Sequence, residues 1–202
     1  KHLPLPIAHL LEIPVTKNNG GTEVTDSDLS WSVRMARPDD AEDISRLVIR
    51  AHGQVLFSED IYYPARVEEL LHSRKMISAV AVTEKGTILG HAALIPTDSR
   101  GKILEMTYGF VNPDFRSRGT VSEISRFLIR SAGRTKAVAL IVMAVTNHVI
   151  SQKAAARVGF KECALLVATS SASAGMEAGK KTEVGRIGNL IQVRYLGNPA
   201  PL

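Results

Sequence analysis

Two periods of hydrophobic and polar positions run through this chain, and the points where one gives way to the other mark its elements. Neither period holds over residues 1–30, where a Pro-punctuated apolar stretch from Leu3 to Pro14 passes into the polar run Thr16 to Asp28. Asn18, Asn19, Gly20 and Gly21 within that run favour turns and open chain, so the segment is expected to be a linker. Ser32 to Ala36 fits a short strand. Behind the acidic start Pro38, Asp39, Asp40, the apolar residues Ala41, Ile44, Leu47, Val48 and Ala51 recur at helical spacing. Carboxylates suit the positive end of a helix dipole, so the helix begins there. A second helix is expected from Pro64 through Leu71, with the polar and aromatic loop Ser58 to Tyr63 between the two.

A two-residue period then takes over. Ile77 to Thr83 and Thr87 to Ile95 read as strands joined by Glu84, Lys85 and Gly86, a tight hairpin connection. Ile103 to Val111 is a third, with Met106, Tyr108 and Phe110 expected on one core-facing side. Past Val111 the order becomes strand, helix, strand: the loop Asn112 to Gly119, a helix from Thr120 to Ala132, and the apolar strand Val138 to Val145. A helix from Val149 to Val158 stops at Gly159, and Glu162 to Ala168 and Asn189 to Leu196 are further strands, separated by the Ser-, Ala-, Gly- and Lys-rich loop Ser170 to Gly188. Hairpins followed by strand-helix-strand units imply an α/β (α+β) fold with a mixed sheet and helices on its faces, and a ligand is expected where the sheet changes direction.

Length and composition narrow the class. A chain of 202 residues, 45% hydrophobic and 22% charged, buries a sizeable core as one domain, residues 31–202, with residues 1–30 as linker. The start at Lys1 rather than Met suggests a chain cut or processed from something longer, with an upstream domain missing. No apolar run approaches the roughly 18 residues of a membrane span and no signal peptide is recognisable, so a soluble cytoplasmic protein is expected. One cysteine, Cys163, excludes an internal disulfide framework, and His52, His72 and His91 lack metal-ligand spacing. The net charge of +5 suits an anionic partner. Its basic residues are scattered rather than blocked and interleaved with aromatics, which disfavours nucleic acid and leaves a phosphate-bearing small molecule. The sequence leaves the oligomeric state open, a homodimer included.

The segment VNPDFRSRGTVSEISRFL, Val111 to Leu128, carries the most chemistry. A strand end, a Pro turn, a basic loop with Gly119 and a new helix make a phosphate cradle: glycine allows close backbone approach, and the N–H groups of the first helical turn point at the anion. Arg116 and Arg118 add positive charge. An ordinary strand-to-helix turn with a solvated basic edge is the competing reading.

This segment resembles the acetyl-CoA signature of the GNAT acyltransferases, in which Arg or Gln is followed by two residues, Gly, one residue, and Gly or Ala, after a strand ending Val-x-Pro. Val111, Asn112, Pro113, Arg116 and Gly119 match; Val121 stands where the family has Gly or Ala. The run HVISQKAAARVGF, His148 to Phe160, is similar to a second signature. There His148, or Asn147 beside it, takes the place of an Asn on the pantetheine arm, and Ala155 the place of a tyrosine that protonates the leaving thiolate. EDIYYP from Glu59 and TNHVISQK from Thr146 also resemble a bacterial group in which such a domain follows a histidine-kinase-like ATPase of the anti-sigma type, a resemblance that implies residues 1–14 to be the end of that upstream domain.

The resemblance implies a central mixed, mostly antiparallel sheet of about seven strands with helices on both faces. It further implies acetyl-CoA as co-substrate, held by the loop Arg116, Ser117, Arg118, Gly119, Thr120 and Val121. Backbone N–H groups near Phe110 and Val111 would polarise the thioester, and Glu105 would be the general base, because an amine must lose its proton to attack, with a solvent-exposed strand residue beside Lys102 as the equal competing reading. Glu59, Asp60, Tyr62 and Tyr63 would line the acceptor pocket, although tyrosines packed on the core are an equal expectation there. The expected function is N-acetyl transfer to an amine in a ternary complex. The alternative is an acyl-CoA-binding regulatory module attached to a signalling domain.

Overall fold

Among the described residues the alternating segments fold into seven strands: β1 (Trp31–Met35), β2 (Ile77–Thr83), β3 (Ile88–Pro96), β4 (Ile103–Val111), β5 (Ala139–Val145), β6 (Lys161–Ser171) and β7 (Arg186–Tyr195). Four α-helices accompany them among the described residues: α1 (Ala41–His52), α2 (Pro64–His72), α3 (Thr120–Ala132) and α4 (Ile150–Arg157). This computed structural model describes residues 30–53, 59–171 and 185–197. The expected linker, apart from residue 30, and most of the loop expected between the last two strands lie outside the described residues. The last two strands run further into that loop than their apolar pattern showed, because ladder hydrogen bonding does not require apolar side chains.

The strand order is β1-β2-β3-β4-β5-β7-β6, and every pair is antiparallel except β4 and β5. This is the mixed, mostly antiparallel sheet with helices on both faces that the sequence implied. One core packs α1 and α2 through Ile44, Leu47, Val48 and Val67 on one face, and the other packs α3 and α4 through Ile124, Leu128 and Ala155 on the opposite face. Among the described residues no helix is long and apolar enough to cross a membrane.

Two local features place the site. The first is a β-bulge in β4. Ala93 pairs Thr107 but His91 pairs Phe110, so Tyr108 and Gly109 face a single β3 residue. Tyr108 adopts the left-handed conformation, φ 53°. An extra residue reverses the alternation beyond it. Leu104 and Met106 accordingly pack with the α3/α4 core, whereas Tyr108 and Phe110 pack with the α1/α2 core. The expectation that Met106, Tyr108 and Phe110 share one side is therefore corrected: strict alternation cannot register a bulge.

The second feature is the close seat of α3 on the sheet. A Cβ on Gly90 would lie 3.0 Å from Thr120 Cγ2, 3.1 Å from Ile124 Cδ1 and 3.3 Å from Val111 Cγ2. Gly90→Ala is expected to cost about 1–3 kcal/mol by overpacking and to push the start of α3 away from the sheet, read as a lowered midpoint in urea denaturation.

Candidate active site

Strands β4 and β5 begin side by side and then part. Their parallel pairing covers Ile103–Ala139, Leu104–Leu140 and Glu105–Ile141 and goes no further. Beyond that rung β5 stays paired to β7 and β4 to β3, which leaves a wedge open between them. The sheet changes direction here, where a ligand site is expected in such folds. The start of α3 follows β4 after residues 112–119 on one side of the wedge, and the start of α4 follows β5 on the other.

On the α3 side the chain forms a concave run of amides. Ser117 (φ 67°) and Gly119 (φ 79°) are left-handed, with Arg118 between them at negative φ. Alternating hands turn successive N–H groups to one side, the arrangement that binds anions. Gly119 is the N-cap of α3 and has no side chain to accept from the first turn. The helical ladder begins with Glu123 N donating to Gly119 O at 3.1 Å, so the N–H groups of Thr120, Val121 and Ser122 precede it. A Cβ on Gly119 would meet no atom within 4 Å, so the described chain leaves open space beside this residue.

The arginine side chains are placed differently from expectation. Arg116 Nη2 donates to the carbonyl of Ala51 at 3.1 Å, capping the end of α1, and Arg118 lies 4.9 Å over the Phe115 ring. Both guanidiniums are thus engaged within the chain, and the backbone amides at the start of α3 are the groups this loop would offer an anion. Val121 sits half-buried on the first turn of α3.

Before α4, Asn147 is exposed and His148 half-buried. His148 Nδ1 and, one turn on, Ser151 Oγ are buried without a hydrogen-bond partner. Buried polar atoms carry a cost unless paired, so this terminus suits a ligand bearing amides or hydroxyls. Ala155 is buried in the α3/α4 core and offers no proton.

Glu105 occupies the last rung before the strands separate, between Ile95 of β3 and Ile141 of β5. It lies on the same face as Ile95, the α1/α2 side. Desolvation raises its pKa above the ordinary carboxylate value, which makes it a stronger base once ionised. On that face a cavity of about 390 Å³ is lined by Asp60, Leu70, Lys75, Ile95, Pro96 and Tyr108. Of the four acceptor-pocket residues expected from sequence, only Asp60 lines it. Glu59 is exposed, Tyr62 is buried in the α1/α2 core at 5% exposure, and Tyr63 packs against the same core. Lys75, unforeseen in the sequence, adds a cation to the lining.

The sequence model described as the Acetyltransferase (GNAT) family matches residues 42–160, more than half of the chain. The chain belongs to that family. The matched stretch runs from the first turn of α1 to Phe160 after α4 and contains the wedge, the cradle and Glu105. No curated protein matches the sequence. Among solved structures, yncA of Salmonella typhimurium, described with its cofactor acetyl-CoA, is 15% identical with a TM-score of 0.68, over 86% of this chain and 98% of that one. An N-acetyltransferase from Staphylococcus aureus Mu50 is 16% identical with a TM-score of 0.68, over 83% and 99%. The ribosomal-protein-S5-alanine acetyltransferase of Vibrio fischeri is 13% identical with a TM-score of 0.64, over 85% and 96%. At these identities the likeness is one of fold.

One further group in this GNAT chain touches the wedge's wall. His91 of β3 is fully buried, with Nδ1 2.9 Å from the carbonyl of Tyr108 and Nε2 against Ser78 Oγ. A carbonyl only accepts, so Nδ1 carries the proton and donates it, and Ser78 donates to Nε2. Desolvation, opposed by the Tyr108 carbonyl and the charge of Asp40, lowers the His91 pKa to about 4. Between pH 6.5 and 4 the unfolded chain takes up a proton that the folded chain refuses. The stability contributed above pH 6.5 is thus lost as pH falls, by on the order of 3 kcal/mol. Urea unfolding at pH 7 and pH 4.5 measures this, and His91→Phe is expected to remove that part of the difference.

Proposed function

We propose that this GNAT chain transfers an acetyl group from acetyl-CoA to an amine by direct attack in a ternary complex. The observation that carries the proposal is the wedge between β4 and β5, with the leading amides of α3 on one side and buried, partnerless polar atoms at the start of α4 on the other. The pyrophosphate suits the amides of Ser117 to Ser122, where Coulomb attraction and N–H donation act together. The pantetheine arm, an amide-bearing chain, suits His148 and Ser151. Acetyl-CoA in the similarly folded yncA structure agrees with that choice.

Along β4 the alternation favours one amide for the thioester. Asn112 N donates to Leu89 O on β3, so Phe110 N–H turns to β3 as well and Val111 N–H faces the wedge. Aimed at the thioester oxygen, Val111 N–H stabilises the charge that develops as the amine nitrogen bonds to the carbonyl carbon. Glu105 removes the amine proton, directly or through one water. The C–S bond then breaks, and the thiolate draws its proton from water, since Ala155 has none to give. The largely apolar cavity with Asp60 and Lys75 favours an acceptor amine with an apolar body.

Calorimetric titration with acetyl-CoA, then thiol release with a panel of amines, tests the proposal. Binding with amine-dependent release is expected. Binding without release from any amine would make the chain an acyl-CoA-binding regulatory module. Absence of binding would overturn both.

A further inference from the structure

His91 lies outside every signature in the sequence, yet it contacts both ends of the β4 bulge. Its Nδ1–H holds the Tyr108 carbonyl, and its ring stacks on Phe110 with centroids 4.8 Å apart and planes 21° apart. Tyr108 is a bulky residue in the left-handed region, a conformation that persists only where surrounding contacts over-determine it. Without the bulge, β4 would keep its earlier alternation. Thr97 N donates to Ile103 O, so the odd residues before the bulge bond toward β3. Continued unbroken, that parity would turn Val111 N–H to β3 and Phe110 N–H into the wedge.

The bulge therefore decides which amide faces the thioester, and it also places Glu105 and Phe110 on one face. We infer that His91 is a positioning residue for acyl transfer: by holding the carbonyl of left-handed Tyr108 and stacking on Phe110, it fixes the bulge that aims Val111 N–H into the wedge. Ser78 completes the device, because its hydroxyl donating to Nε2 selects the tautomer in which Nδ1 can donate to Tyr108. Ser78 Oγ also lies 3.4 Å from the Ala92 carbonyl, a longer contact that its single proton forgoes. His91 touches no substrate and acts only through β4.

This inference rests on the acyl-transfer proposal, and the test separates the two. The Val111 amide of the ¹⁵N-labelled protein is followed during titrations with acetyl-CoA and with CoA, which differ by the acetyl group alone. In the native protein the Val111 amide is expected to shift further with acetyl-CoA than with CoA. His91→Phe keeps a ring on Phe110 but has no donor. It is expected to abolish that acetyl-specific difference while leaving CoA affinity within about threefold, because the cradle at Gly119 is untouched. His91→Gln, which offers an N–H, is expected to recover part of the difference.

An acetyl-specific shift retained in full by His91→Phe would overturn the inference and leave His91 a core residue only. No such shift in the native protein, with CoA bound, would overturn the acyl-transfer proposal itself and His91's part in it. Should His91→Phe fail to fold, Ser78→Ala takes its place. There the difference is expected to fall by at least half, and its full retention would overturn the inference.

Discussion

Gly119→Glu is expected to abolish binding of CoA and acetyl-CoA in calorimetric titration, with at least a roughly hundredfold loss of affinity. Three effects act in the same direction. Gly119 sits at φ 79°, where an L side chain is strained and the preferred relief is to unwind the turn. Its Cβ would meet no atom within 4 Å, so the carboxylate would stand unhindered beside the first turn of α3, where the proposed anion binds. There it would accept from the first-turn amides as an N-cap and repel the incoming phosphates. The last effect makes the variant informative, since a carboxylate at a helix N-terminus is locally favourable. The protein should fold near its native stability while losing its ligand. Gly119→Ala carries the strain without the charge and should lose much less affinity. Undiminished binding by the glutamate variant would place the pyrophosphate elsewhere.

Periodicity made much of this legible. Long apolar stripes such as Ile44, Leu47, Val48 and Ala51 in α1 fixed helices within a residue or two, and the hairpin β2–β3 followed from alternation and Gly86. The proposed cradle is equally readable, because the parts assigned to it are a glycine and the leading amides of a helix, both of which sequence reports. Side-chain direction was not. Arg116 and Arg118 have the composition of an anion site, but the carbonyl left orphaned at the end of α1 and the ring of Phe115 compete for them. Tyr62 is an aromatic near a site by sequence and a core residue by packing.

The bulge was the largest omission. It depends on the register of β3 against β4, a non-local pairing, and its only local trace is Gly109 following Tyr108. His91 and Ser78 then pass for chance polar residues in apolar strands. They become meaningful only once Tyr108 is seen to be left-handed.

Glu105→Gln is expected to lower the maximal rate of acetyl transfer by roughly 10²- to 10⁴-fold, the usual worth of a general base, with acetyl-CoA affinity almost unchanged. The amide keeps the shape and length of the side chain and stays between Ile95 and Ile141, so β4 and the wedge should hold their geometry. Only proton acceptance is removed. Because desolvation raises the Glu105 pKa, the acid limb of the native rate profile should lie above the ordinary carboxylate range, and the variant's residual rate should lack that limb. Stability should move the opposite way. Burial favours the neutral carboxyl, so the stability Glu105 contributes is complete below its unfolded pKa and is lost as pH rises through the raised folded one. A glutamine side chain there, neutral at every pH, escapes that loss. At neutral pH the variant should therefore melt above the native protein, and below about pH 4 the two should melt alike. A base held in an apolar rung at the expense of stability is what a strand that carries chemistry would show, whereas a structural carboxylate should be stabilised by its surroundings. Full activity of Glu105→Gln across pH would move the base to Asp60 in the cavity lining or to His148 at the start of α4.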